Sequence, residues 1–126
     1  MGKSAQIIGR AGEEIIAKHL LNKGFKIIKR NYRCKCGEID IIAENKEYIV
    51  FTEVKTRGKN SFAAPSAFVT AAKQRKILKT AAYYLMTNPS ALQPRFDIGE
   101  VLYSDGKAEV NYIENAFIQG GDYAPF

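Results

Sequence analysis

Asp40, Glu53 and Lys55 are the residues of this chain whose types and spacing can do chemistry together. They lie in one stretch, GEIDIIAENKEYIVFTEVKTR, from Gly37 to Arg57. It reads as two strands joined by the polar break Glu44-Asn45-Lys46-Glu47, a length that suits a hairpin. Side chains alternate along a strand, so Glu53 and Lys55 share a face. A two-residue turn at Asn45-Lys46 or Lys46-Glu47 pairs residues whose numbers sum to an odd total. Asp40 then lies opposite Phe51 or Glu53, on the face of Glu53 and Lys55. Directly opposite Cβ atoms are about 4.5–5.5 Å apart, and carboxylates that close repel unless a cation lies between them. Hard oxygen donors suit Mg²⁺ or Mn²⁺. Lys55 at the edge can hold a water or an anionic oxygen. The pattern predicts a divalent-metal site made for an anionic substrate.

The elements that must position these residues follow from periodicity. Both strands of the hairpin are apolar on both faces, which predicts a central, doubly covered place in a sheet. Apolar residues at Ala5, Ile8, Ile15, Ile16, Leu20 and Leu21 predict a helix over about 4–22, closed by Gly24. Phe25 to Tyr32 reads as a strand, and 33–37 turns the chain into the hairpin. GKNSFAAPS after Arg57 reads as a loop bordering the site. A second helix is expected from Ser66 or Pro65 to about Met86, with Phe68, Val69, Ala72, Ile77, Ala81 and Leu85 toward the sheet. Strands follow at 95–103 and 107–113 around the turn Ser104-Asp105-Gly106. Asp97 and Glu100 are expected on the outer part of the sheet, away from the site. The fold class is α/β: a mixed central β-sheet flanked by helices, in the order α-β-β-β-α-β-β, with the second helix as a crossover between parallel strands. One domain over 1–118 and a flexible tail over 119–126 are expected.

The chain carries a net charge of +6, with a pI of about 9.3. The distribution says more than the total. From Lys23 to Lys35 there are six Lys or Arg and no acid, and from Val54 to Phe96 eight and no acid. From Asp97 to Phe126 there are six acids against one Lys. Basic blocks that flank an acidic hairpin predict a phosphate-binding surface around it. Its candidate contacts are Arg30, Arg33, Arg57, Lys59, Lys73 and Lys76. No apolar run reaches membrane-span length and the first residues lack a secretory core, so no membrane partner and a cytoplasmic location are expected. Cys34 and Cys36 form C-x-C in a turn. A disulfide across one residue is strained, and the only histidine, His19, belongs to another element and reads as a surface residue. The thiols read as structural or incidental.

The motifs Gly9-Arg-Ala-Gly12-Glu13, Arg30-Asn31-Tyr32-Arg33, Gly37-Glu38-Ile39-Asp40, Phe51-Thr52-Glu53-Val54-Lys55-Thr56-Arg57 and Arg95-Phe96-Asp97 occur in an order that resembles the YraN family. Asp40 followed by Glu53-x-Lys55 resembles the (D/E)-x-K signature of the restriction-endonuclease-like superfamily, and the family is similar to Holliday-junction resolvases. The resemblance covers the chain up to about Phe117. It implies a restriction-endonuclease-like core and a metal-dependent endonuclease acting on DNA phosphodiesters, branched DNA included. Asp40 and Glu53 would bind Mg²⁺ or Mn²⁺, helped by the Val54 carbonyl, and Lys55 would orient water or stabilise developing charge. The glutamate after the motif's second glycine maps to Glu13, as a third ligand or the holder of a metal-bound water. Glu13 and Glu14 point about 100° apart, so only one of them can face the site. Superfamily nucleases often carry Gln or Lys on the second helix, which points to Gln74. That residue reads equally as a polar side chain at the helix boundary. A homodimer is implied by analogy alone. Two other readings stand beside the nuclease: a nucleic-acid-binding module that does not cut, and a protein-interaction subunit using the acidic C-terminal face.

Overall fold

The turn at Lys46-Glu47 sets the register of the molecule. Asn45 Oδ1 accepts the backbone N–H groups of Glu47 and Tyr48 at 2.9 and 2.8 Å. The Asn45 N–H donates to the Tyr48 carbonyl at 3.0 Å. An asparagine folded onto the backbone two residues ahead closes a tight turn without left-handed residues. The hairpin it closes joins β2 (Gly37–Glu44) to β3 (Tyr48–Gly58).

The computed structural model describes residues 2–58 and 69–117. Around that hairpin stand α1 (Gly2–Asn22), β1 (Lys26–Cys34), α2 (Ala71–Thr87), β4 (Gln93–Ser104) and β5 (Lys107–Ile113). The element order is α-β-β-β-α-β-β, and the five-stranded sheet runs β1-β2-β3-β4-β5. Only β3 and β4 pair in parallel; the other neighbours are antiparallel. Parallel neighbours need a crossover, and α2 supplies it.

The helices cover opposite faces. Ile16, Ala17 and Leu20 of α1 pack on Ile41, Ala43, Val50 and Val101. Ile77, Leu78, Ala81 and Tyr84 of α2 pack on Ile42, Phe51, Phe96 and Ile98. Two close approaches seat α1. A Cβ at Gly12 would collide with the Thr56 methyl, and one at Gly99 would stand 2.7 Å from Ile16. Gly24, at φ +91°, ends α1 in a Schellman motif, with Phe25 N–H to Leu20 O at 3.0 Å and Gly24 N–H to Leu21 O at 3.1 Å.

Several expectations are corrected. α2 starts at Ala71, not at Ser66 or Pro65. Thr70 is its N-cap, with the Lys73 N–H donating to Thr70 Oγ1 at 3.2 Å. Ala72, expected to face the sheet, is exposed, and so is Leu21 of α1, at 54%. β4 is an inner strand, so Asp97 and Glu100 are fully buried instead of lying on the outer sheet. Phe68, most of the expected loop after Arg57 and the expected tail fall outside the described residues. Among the described residues, no helix is long and apolar enough to cross a membrane.

Candidate active site

The hairpin register brings two acids face to face. The last ladder pair between β2 and β3 is Ile41–Thr52, and one step on Asp40 stands across from Glu53. There the strands part. The Val54 N–H donates to Asp40 Oδ2 at 2.8 Å, so the carboxylate takes a backbone donor just past the end of the ladder. Both acids are buried, each 8% exposed. Burial, then a hydrogen bond and repulsion from Glu53, push Asp40 up to about 8. A proton held on Asp40 occupies the place of a cation.

Two lysines close the site. Lys55 of β3 is half-buried, and Lys73, in the first turn of α2, sets its ammonium 3.4 Å from Glu53 Oε2. Burial and then repulsion from Lys73 lower Lys55, against the pull of Glu53. Burial opposes the charge on Lys73 too, but Glu53 and Lys55 outweigh it and raise its pKa. Two neighbouring amines thus hold protons with unequal strength, an arrangement that separates a proton carrier from a fixed charge.

Glu13 approaches from α1. Burial, then Asp40, raise its pKa, and Asn31 lowers it through a hydrogen bond. Glu14 points outward and pairs with Arg30 at 2.8 Å. Among the described residues no three His, Cys, Asp or Glu side chains gather tightly enough to hold an ion alone. Glu13 therefore neighbours Asp40 without completing a three-carboxylate set. Gln74, next along α2, donates its Nε2–H to the Val69 carbonyl at 3.0 Å, just before the helix.

The expected phosphate contacts divide. Arg30 and Arg33 are exposed but paired with Glu14 and Glu38. Lys73 turns toward Glu53. Arg57, expected to be exposed, lies only 15% open against the buried Glu100, because the parallel ladder sets Lys55 rather than Arg57 beside that acid and leaves Arg57 to reach back to it. Lys76 is exposed, and Lys59 lies outside the described residues. His19 is half-buried rather than superficial, stacked on Tyr112 with centroids 5.1 Å apart. Cys34 and Cys36 are free thiols, with the Cys36 N–H donating to Cys34 Sγ at 3.3 Å.

Sequence reasoning missed Asn31. Arg30 pairs with Ile41 and Tyr32 with Ile39, so Asn31 stands across β2 from Asp40. Its φ is +54°, a conformation uncommon outside glycine and found where strain serves a site. The signal was present as the second residue of Arg30-Asn31-Tyr32-Arg33, but nothing in strand periodicity announces a left-handed residue.

A pH dependence follows from Asp40. Its folded value, about 8, exceeds its unfolded value near 3.8. The folded chain holds the extra proton between these values, so stability falls as pH rises through that window. Chelator-treated protein is expected to lose stability from about pH 4 to pH 8, and Asp40→Asn to flatten the slope. Urea unfolding across that range checks it; an unchanged slope in the variant rules the coupling out.

Comparison with known proteins places these features. Residues 12–101 match the family described as "Uncharacterised protein family UPF0102". A UPF0102 protein of Caldanaerobacter subterraneus subsp. tengcongensis is 48% identical over 114 residues, covering 87% of this chain and 93% of that protein. One from Clostridium botulinum is 46% identical with the same coverage, and one from Syntrophotalea carbinolica 45% identical over 87% and 90%. Pyrococcus furiosus SfsA, solved in complex with Ca²⁺, is similar at a TM-score of 0.33 and 17% identity, over 87% of this chain and only 63% of that one. That likeness is too distant to carry structural detail across. The matched span contains Asp40, Glu53, Lys55 and the Arg95-Phe96-Asp97 motif, and the chain belongs to the UPF0102 family.

Proposed function

We propose that this chain is a metal-dependent endonuclease acting on DNA phosphodiesters, with branched DNA among its substrates. The observation that carries the reading is the buried Asp40–Glu53 pair facing two lysines. The resemblance to (D/E)-x-K nucleases supports it. The donors fit a hard cation: they are oxygens, they are buried, and the hairpin register sets them face to face. Mg²⁺ is commonly held by one or two carboxylates, with waters and substrate phosphates completing the shell. Asp40 and Glu53, with the Val54 carbonyl, would hold Mg²⁺ or Mn²⁺; when bound, that ion supplies Lewis-acid charge at the phosphate. Lys55, whose proton is the more loosely held, orients the attacking water. Lys73 keeps its charge and offsets that of the phosphate.

A binding module without turnover is the second reading. The Lys73 ammonium beside Glu53 favours it, because it partly supplies the charge a metal would bring.

The test is a cleavage panel of single-stranded, duplex, flapped and four-way DNA with Mg²⁺ or Mn²⁺. At least one substrate is expected to be cut. Lys55→Ala should abolish cleavage while affinity falls only slightly, because Lys55 sits at the chemistry rather than on the phosphate-binding surface. Specific binding with no cutting under either metal overturns the nuclease and leaves the module.

A further inference from the structure

The outer face of α2 is built from residues the site does not use. Ala72, Lys76, Lys79, Tyr83 and Met86 follow a 4-3-4-3 spacing, which keeps them on one line of the helix. All five are exposed, Tyr83 at 46% and Met86 at 77%. The buried residues Ile77, Leu78, Thr80, Ala81 and Tyr84 occupy the opposite face. α2 contains no acid, and its cations sit in its first half, with none in the last turn. Cations near a helix N-terminus oppose the macrodipole. A sequence serving the helix alone would place them at the other end.

The line also leads somewhere. Lys73, at the start of the same helix, touches Glu53. The tip of the β1–β2 hairpin abuts the middle of α2: a Cβ on Gly37 would stand 3.6 Å from Lys76 Cβ, and Cys36 lies within the field of Lys79. From Lys73 to Tyr83 the helix rises about 15 Å. A ridge of cations ending in an open aromatic ring therefore starts at the carboxylate pair.

We propose that this ridge is a track for single-stranded nucleic acid, with Lys76 and Lys79 on successive phosphates and Tyr83 stacked on a base. The proposal rests on the nucleic-acid reading above and names the part of the substrate that leaves the site. Two features select a single strand. A ring on a convex helix can stack only on a base whose face is open, and duplex stacking covers those faces. Lysines spaced by a helical turn follow one backbone, while Arg30 and Arg33 of the neighbouring β1 are already paired with acids.

Fluorescence anisotropy with a labelled oligothymidine and a labelled hairpin duplex tests this. The proteins are wild type, Tyr83→Ala, Tyr83→Phe, Lys76→Gln and Lys79→Gln, each checked by thermal melting and sedimentation. Tyr83→Ala should bind oligothymidine about tenfold or more weakly and leave duplex affinity unchanged, and Tyr83→Phe should bind as wild type. Each lysine variant should reduce the salt slope on oligothymidine by about 0.7. Wild-type affinity of Tyr83→Ala for the single strand, with binding itself intact, overturns the track and leaves the nucleic-acid reading standing. Absence of salt-dependent binding to either probe overturns both. A dimer that Tyr83→Ala dissociates, with oligothymidine affinity unaltered, assigns the ridge to a second copy of the chain instead.

Discussion

Replacing Asp40 by Asn is expected to abolish divalent-metal binding while leaving the metal-free protein at least as stable as wild type at pH 8. The two effects have opposite signs because the same charge causes both. Asp40 is buried, and Glu53 lies directly beyond it in the hairpin register. Ionising it without a metal sets two anions at close range in a poorly solvated place, and the amide removes that cost. The amide oxygen can still accept the Val54 N–H that Asp40 Oδ2 accepts at 2.8 Å. With a metal, half of the carboxylate charge has gone, and the loss should exceed the roughly 10–100-fold that follows removal of an outer-shell partner. Glu53→Gln is expected to lose metal as severely without the gain in stability, since Lys73 would lose its partner and face Lys55 alone. Calorimetric titration with Mn²⁺ beside urea unfolding in chelator reads both quantities. Mn²⁺ affinity of Asp40→Asn within twofold of wild type would sink the metal reading.

The largest effect on stability is expected on the other face of the sheet. Asp97 is fully buried and accepts four groups. Arg95 Nε donates at 3.0 Å and Arg95 Nη2 at 2.9 Å. The Tyr112 hydroxyl donates at 2.6 Å and the Asn115 N–H at 2.9 Å. Arg95 in turn lies over the Tyr48 ring, 4.7 Å from its centroid. Asp97→Ala leaves a guanidinium without its main partner inside the protein. Breaking one side of a buried pair costs about 3–5 kcal/mol, which for a domain of this size lowers the melting temperature by roughly 10–20 °C. Calorimetric melting of the variant tests this, and a drop below about 3 °C would show that Asp97 does not carry the network. The Arg95-Phe96-Asp97 motif is then explained by folding rather than by chemistry.

The parts of the site legible from sequence were those fixed by short-range geometry. An odd-sum hairpin register follows from any two-residue turn, so the meeting of Asp40 with Glu53 was readable once Asn45 was seen to start the turn. Which strand sits beside β3 was not readable, because parallel pairing depends on where the crossover lands. That one unknown misplaced Asp97, Glu100 and Arg57 together: each is charged, and each is buried only because β4 lies inside the sheet. Lys73 was legible as a cation on a helix. Its turn toward Glu53 depends on α2 beginning at Ala71, which puts Lys73 in the first turn. Cap placement among several candidates is a contest of small energies, each about 1 kcal/mol.

The strand order β1-β2-β3-β4-β5 repeats the order of the sequence, and this bears on the chain during its synthesis. Each strand that leaves the ribosome meets an edge already laid down, so assembly can proceed vectorially with no strand threaded between two others. The exception is timing at β3. Its next partner, β4, begins only at Gln93, after the whole of α2 has been made. Until then β3 is a sheet edge bearing Ile49, Val50 and Phe51, the kind of apolar rim that captures other nascent chains. α2 emerges first and packs its Ile77, Leu78 and Ala81 onto that sheet. The crossover helix thus shields one face of the growing sheet before it delivers the strand that seals the edge.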